Sequence, residues 1–299
     1  MRNQGRQAAD KLVEIRCQLA NFVVTADLDA LAQITVIGAA FITVFSVTEP
    51  TVRYTFGTMY VSDWLGQVLK LFIYLSVFAS LLYGRLYLIE RRLEKAEYYV
   101  LMLLSMLGAM ILVSANNLLV LYLGLEMMTL ALYALVAFDR DNGLRSEAAI
   151  KYFVLGAISS GLLLYGMSMI YGATGSLDLG TVAQAVYLGA GDETVLKFGV
   201  AFLVAGIAFK FGVVPFHMWV PDVYHGAATP VTLLIASAPK LAGFALALRL
   251  LVGGFFGLAE TWQPMLMLLA VASIVLGNLA AIAQNNIKRM LAYSGISHM

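Results

Sequence analysis

Runs of about 20 apolar residues, separated by short polar stretches, recur along nearly the whole chain. That is the length a helix needs to cross the hydrocarbon of a bilayer. No other feature narrows the fold as much. In hydrocarbon every backbone N–H and C=O must find a partner inside the protein, so only helices or closed barrels span it. Continuous apolar runs of this length, without strict alternation, are helical. Of the 299 residues 61% are hydrophobic and 12% are charged, and the mean hydropathy is +0.84. A soluble domain is nearer half apolar and a quarter charged. The expected fold class is therefore all-α, a polytopic transmembrane helix bundle.

The spans are expected at 28–48, 66–89, 97–115, 118–138, 148–172, 197–214 (broken, resuming to 226), 229–253 and 262–284, with another starting at 287. Residues 1–26 differ from the rest. They carry Arg2, Arg6, Lys11 and Arg16, with a weak stripe of Leu12, Ile15, Leu19 and Phe22. Asp10 and Glu14 interrupt any signal-peptide core, so the segment reads as a cytosolic lead-in. Residues 173–196 read as the longest loop, with no Lys or Arg before Lys197. Placing the N-terminus inside and alternating puts Arg85, Arg91, Arg92, Lys95, Arg140, Arg145, Lys288 and Arg289 on the cytoplasmic side. That is the side basic residues favour. The lipid bilayer is the first partner. A net charge of +1 gives no basis for a nucleic-acid partner. Cys17, the single cysteine, excludes an internal disulfide and any cysteine-held cluster or zinc site. A redox cofactor would have to sit on another chain or on other residue types.

Three charges fall near the centres of expected spans: Glu126, Lys210 and Lys240. Each, unpaired, costs about 2.5–3.5 kcal/mol, so the three together cost roughly 8–10 kcal/mol. A buried ion pair that only holds helices together would absorb Glu126 and one lysine and leave the second lysine over. A lysine suits proton transfer because its charge yields to desolvation, whereas arginine stays charged. Tyr122, Glu126, Thr129 and Tyr133 share one helix face by their spacing. Ser237 precedes Lys240 by one turn on the same face. His217, seven residues beyond Lys210, is a further candidate with a physiological pKa.

The chain has six prolines, and four of them, Pro215, Pro221, Pro230 and Pro239, lie within 25 residues. Pro215 and Pro239 cannot donate to the carbonyls four residues before them. Freed backbone at membrane depth is tolerated where it is buried in protein or lines a wet cavity. A broken helix beside buried charges marks a transport path. The lysine then reads as a titrating station, and Pro215 as the residue that opens the backbone beside it. Pro239 also reads as a simple packing kink.

These residues resemble a known family. "FKFGVVPFHMWVPDVYHGAATPVTLLIASAPK", "LYLGLEMMTLALYALVAF", "EAAIKYFVLGAISSGLLLYG" and "NNIKRMLAYSGISHM" are similar to the proton-pumping, antiporter-like membrane subunits of respiratory complex I, over residues 52–299. The form Tyr224–His225–Gly226 resembles the N-type branch rather than the L and M types. The resemblance implies an antiporter-like fold with a broken helix near 210–217. By it, Glu126 is the glutamate of the fifth helix, Lys210 the lysine of the broken seventh, Lys240 the lysine of the eighth and His298 a histidine of the tenth. It implies an inner-membrane subunit of a proton-translocating NADH–quinone oxidoreductase. FMN, iron–sulfur clusters and quinone would then sit on partner subunits and no cofactor on this chain. Neighbouring antiporter-like and small membrane subunits would surround it. The alternatives are a subunit of a multi-subunit sodium/proton antiporter, which shares the fold, and a structural remnant that does not pump. The expected organisation is an atypical segment at 1–26, two peripheral transmembrane helices at 27–95, a five-helix proton-translocating repeat at 96–254, and the start of an incomplete second repeat at 262–299. A chain with one repeat is not expected to pump alone.

Overall fold

The structure, a computed structural model, describes residues 27–46 and 51–299; the expectations for 1–26 lie outside the described residues. The elements run in chain order as α1 (Asp27–Ser46), β1 (Arg53–Thr55), β2 (Tyr60–Ser62), α2 (Trp64–Glu90), α3 (Ala96–Ser114), α4 (Leu118–Val136), α5 (Gly143–Thr174), α6 (Leu179–Tyr187), α7 (Glu193–Phe211), α8 (Trp219–Gly226), α9 (Thr229–Ala247), a π-helical continuation (Leu248–Gly254), a 3₁₀ turn (Phe256–Leu258), α10 (Ala259–Ile282) and α11 (Ile287–Ser297). Among the described residues eight helices are long and apolar enough to cross a membrane, and each overlaps an expected span. The chain is an all-α transmembrane bundle with one short antiparallel hairpin, β1–β2.

Helix starts follow side-chain chemistry. Asp63, Asn117, Asn142, Asp178, Asp192 and Asn286 each accept a hydrogen bond from a backbone N–H of the first turn of α2, α4, α5, α6, α7 and α11. Each cap satisfies an N–H that has no partner within its own helix. Side chains that face outward are apolar, among them Phe72, Leu86, Ile158, Met267 and Leu279.

Two ends of the bundle differ. One gathers Arg91, Arg92, Lys95 and Arg140 between helices and is the basic end. The other carries the hairpin. There Tyr60 bridges Ala115 and Asn117 bridges Asp178, and the Thr58 hydroxyl donates to Asp178 at 2.9 Å. The segment 173–196 is not wholly loop, as was expected. It folds α6, whose Leu179, Val182 and Val186 are buried on one face. The hairpin was not foreseen either, since three-residue strands give no usable period.

Close packing uses small residues. A Cβ on Gly108 of α3 would lie 2.4 Å from the Met128 amide nitrogen, and one on Gly124 of α4 would lie 2.7 Å from that of Leu112. The two backbones therefore touch, as small residues allow between transmembrane helices. At the basic end Asp222 of α8 binds Lys151 of α5 at 2.9 Å and Arg289 of α11 at 2.8 Å. That carboxylate ties three helices together.

Candidate functional site

α7 ends at mid-bundle because of Gly212, which takes φ +73°, a conformation glycine adopts without strain. Its N–H donates to Phe209 O and that of Val213 to Ala208 O, at 2.9 and 3.1 Å. This is the double bond pattern of a Schellman end. Pro215 comes three residues after the helix has closed and is exposed. The sequence reading made Pro215 the breaker, and the structure gives that role to Gly212. The signal was in the sequence, since a glycine after the last apolar turn with a proline beyond it marks a helix end.

The Schellman bonds leave the carbonyls of Lys210 and Phe211 over. Both are taken by one side chain: Lys240 Nζ donates to Lys210 O at 3.2 Å and, more closely, to Phe211 O. Lys240 is 8% exposed and lies 5.4 Å from the centre of the Trp219 ring. An ammonium at the negative end of a helix is held by the macrodipole as well as by the two bonds. The freed backbone at the break is thus satisfied by a side chain of the neighbouring helix.

Lys210 is bound differently. Its stem is half-buried, but its Nζ is buried and has no hydrogen-bond partner. The Glu126 carboxylate acts on it electrostatically without touching it. Glu126 instead accepts from the Ser160 hydroxyl of α5 at 2.5 Å. A cavity of about 10 Å³ adjoins Lys210, lined also by Thr129, Tyr152, Trp219 and Pro239. That is about one water's worth of space. A cavity of about 320 Å³ reaches Lys240 between α8, α9 and α11, with Lys288 of the basic end on its wall.

The aromatic returning from the break completes the site. Trp219 Nε1 donates to Phe209 O at 3.1 Å, and its ring stacks on Tyr152 at 4.7 Å and on Phe209 at 5.5 Å. Val214 N–H is taken by the buried Ser273 hydroxyl of α10 at 2.9 Å. Trp219, Ser160 and Ser273 were not anticipated. The paired serines Ser159 and Ser160 inside an apolar run were the available signal for Ser160, and Ser273 gave none.

The other expected residues divide. Tyr122 and Tyr133 flank Glu126 on its helix, but neither bonds to it, and the Tyr133 hydroxyl is buried without a partner. Thr129 spends its hydroxyl on Leu125 O at 3.0 Å. Ser237 does the same on Leu233 O at 2.8 Å and does not join Lys240. A short hydroxyl inside a helix finds its own i−4 carbonyl before a neighbour. His217 is half-buried in the break, with no bond to either lysine. His298 caps α11 and is exposed, so it is not joined to the site. Pro239 does not break α9, which runs on through it.

Residues 115–299 match the family model described as NADH:quinone oxidoreductase/Mrp antiporter, TM. The chain is 64% identical over 269 residues to NADH-quinone oxidoreductase subunit N of Azoarcus sp. (strain BH72), a match covering 90% of this chain and 55% of that protein. It superposes on a chain of respiratory complex I from Thermus thermophilus with a TM-score of 0.77 and 35% identity, covering 92% of this chain and 57% of that one. A chain of the Mrp complex from Dietzia sp. DQ12-45-1b superposes with a TM-score of 0.78 at 21% identity, covering 93% of this chain and 52% of that one. That likeness shows the shared fold. The chain spans about half the length of the curated relatives it matches.

Proposed function

The chain belongs to the NADH:quinone oxidoreductase/Mrp antiporter transmembrane family, and from that premise we propose that it moves protons across the bacterial inner membrane as an N-type subunit of NADH–quinone oxidoreductase. Electron transfer from NADH to quinone runs on partner subunits, which hold the FMN and iron–sulfur clusters and take the quinone. This chain responds with proton movement through Glu126, Lys210 and Lys240. Its membrane neighbours are other antiporter-like and small subunits of the complex.

One observation carries the reading: two buried lysines meet at one helix break in unlike states. Lys240 is held by two carbonyls and Lys210 by none. A buried ammonium without a partner is costly, so Lys210 is poised to exchange its proton or to draw in a carboxylate. Glu126 is the carboxylate in range, and Ser160 holds it back at 2.5 Å. A proton that enters from the basic end through the cavity at Lys240 meets the α7 terminus first. Passage between Lys240 and Lys210 then follows the break, where the backbone is non-helical.

The test places Lys210→Ala and Glu126→Gln in a full-length subunit in a strain lacking its own subunit N. Proton pumping per electron should fall several-fold while native gels show the complex assembled. Loss of assembly in step with activity would instead make the residues a structural pair and the chain a scaffold.

A further inference from the structure

A second buried charge cluster lies at the hairpin end, outside the site just described. Lys70 of α2 is 5% exposed. Its Nζ donates to the Tyr60 hydroxyl of β2 at 2.7 Å and sits 5.0 Å from the centre of the same ring. No carboxylate pairs with it among the described residues. The nearby carboxylate, Asp63, is bound to Arg249 at 2.8 Å. The Ser114 hydroxyl is fully buried and acts on the Tyr60 hydroxyl. A Cβ on Gly66 would stand 2.7 Å from Asp63 Oδ1, 3.2 Å from Arg249 Nη2 and 3.6 Å from Ser114 Oγ, so these groups meet at one point, a turn from Lys70.

The depth of Lys70 relative to Lys240 follows from helix register. A Cβ on Gly84 would meet Pro230 at 2.9 Å, and one on Gly66 would meet Arg249 at 3.2 Å. Counted from the contact between Gly84 of α2 and Pro230 of the antiparallel α9, Lys70 lies 14 residues and Lys240 ten residues toward the hairpin end, which sets Lys70 roughly four residues, or ~6 Å, nearer that end. Tyr60 in turn lies between Lys70 and that surface and is half-buried.

We propose that Lys70 and Tyr60 form the outward relay of the proton path, receiving protons from the level of Lys240 and releasing them at the hairpin end. This rests on the proton-translocating reading above. In the release step the Lys70 ammonium passes a proton to the Tyr60 oxygen while the Tyr60 hydroxyl gives its own proton to water. Lys70 is left neutral and the phenol is regenerated. A proton arriving from Lys240 restores the ammonium. The pair suits this because the phenol is both acceptor and donor, while a carboxylate would hold the ammonium charged. Ser114 supplies a buried hydroxyl beside the route. The rival role is an anchor that pins the hairpin to α2.

Arginine separates the two roles, since it keeps the charge and can donate to Tyr60 but does not give up its proton. Lys70→Arg, Lys70→Met and Tyr60→Phe are placed in the full-length subunit, with Lys210→Ala alongside. Expected are assembled complexes whose pumping per electron falls several-fold with Lys70→Arg, with Lys70→Met and with Tyr60→Phe. Wild-type pumping by Lys70→Arg, with Lys70→Met losing assembly, would show an anchor and overturn the proposal. If Lys210→Ala loses pumping and the Lys70 variants do not, the relay fails and the translocating reading stands. If Lys210→Ala also pumps normally, the reading itself falls.

Discussion

Ser160 restrains Glu126 with a single short bond, and Lys210 has no such restraint. Ser160→Ala should therefore free the carboxylate to swing toward Lys210. The expected result is assembled complex with pumping changed several-fold, and a Ser160→Thr variant, which keeps the hydroxyl, close to wild type. Unchanged pumping in the alanine variant, measured in inverted vesicles, would show that the bond restrains nothing. At this scale the charges were legible, because Glu126, Lys210 and Lys240 each violate the apolar pattern of a span. Their partners were not. Both of Lys240's acceptors are backbone carbonyls, which carry no residue identity. The Ser160 contact joins helices whose relative rotation no periodicity reveals.

Elements are set by a few positions where backbone or close approach decides. Gly212→Ala forces φ +73° on a residue with a Cβ, and that Cβ would lie 2.4 Å from Val220 Cγ2. The left-handed conformation alone costs about 1–2 kcal/mol. Lower thermal stability of the purified complex is expected, together with weakened pumping, because the same residue shapes the carbonyls that Lys240 binds. Gly124→Leu should do more damage, since its side chain would enter the α3–α4 backbone contact. Overpacking of this kind costs about 1–3 kcal/mol or more, and loss of membrane-inserted, protease-resistant subunit is the measure. The spans were readable from run length, and the helix break from its glycine and proline. α6 and the hairpin were not, for their nine and three residues are too short for a pattern to rise above loop composition.

The molecule as a whole is oriented by its basic end, and that orientation is open to direct test. In a Cys17→Ser background, a cysteine at Ala190 should react with an impermeant thiol reagent in intact spheroplasts, and one at Gly143 should not; the reverse pattern would invert the bundle. The hairpin end has its own acid limit. Burial alone would raise the Asp178 carboxyl, but hydrogen bonds from the Thr181 amide and the Thr58 and Thr181 hydroxyls outweigh it and hold it below 3.8. A carboxyl held low in the folded state contributes stability above its ordinary value and loses it as pH falls through the lowered one. Amide exchange at 58–60 and 176–182 should stay slow at neutral pH and quicken only once pH falls below the ordinary aspartate range, and Asp178→Asn should remove that step. At mid-bundle, one nitrogen atom, Lys240 Nζ, grips the end of α7 and, in the proposed path, also carries the transported proton. Coupling between two such events is reciprocal by thermodynamic necessity. A pull on the broken helix is therefore felt at the proton, and a change of proton occupancy is felt as force along the helix. Here mechanical work and acid–base chemistry are two readings of the same bond.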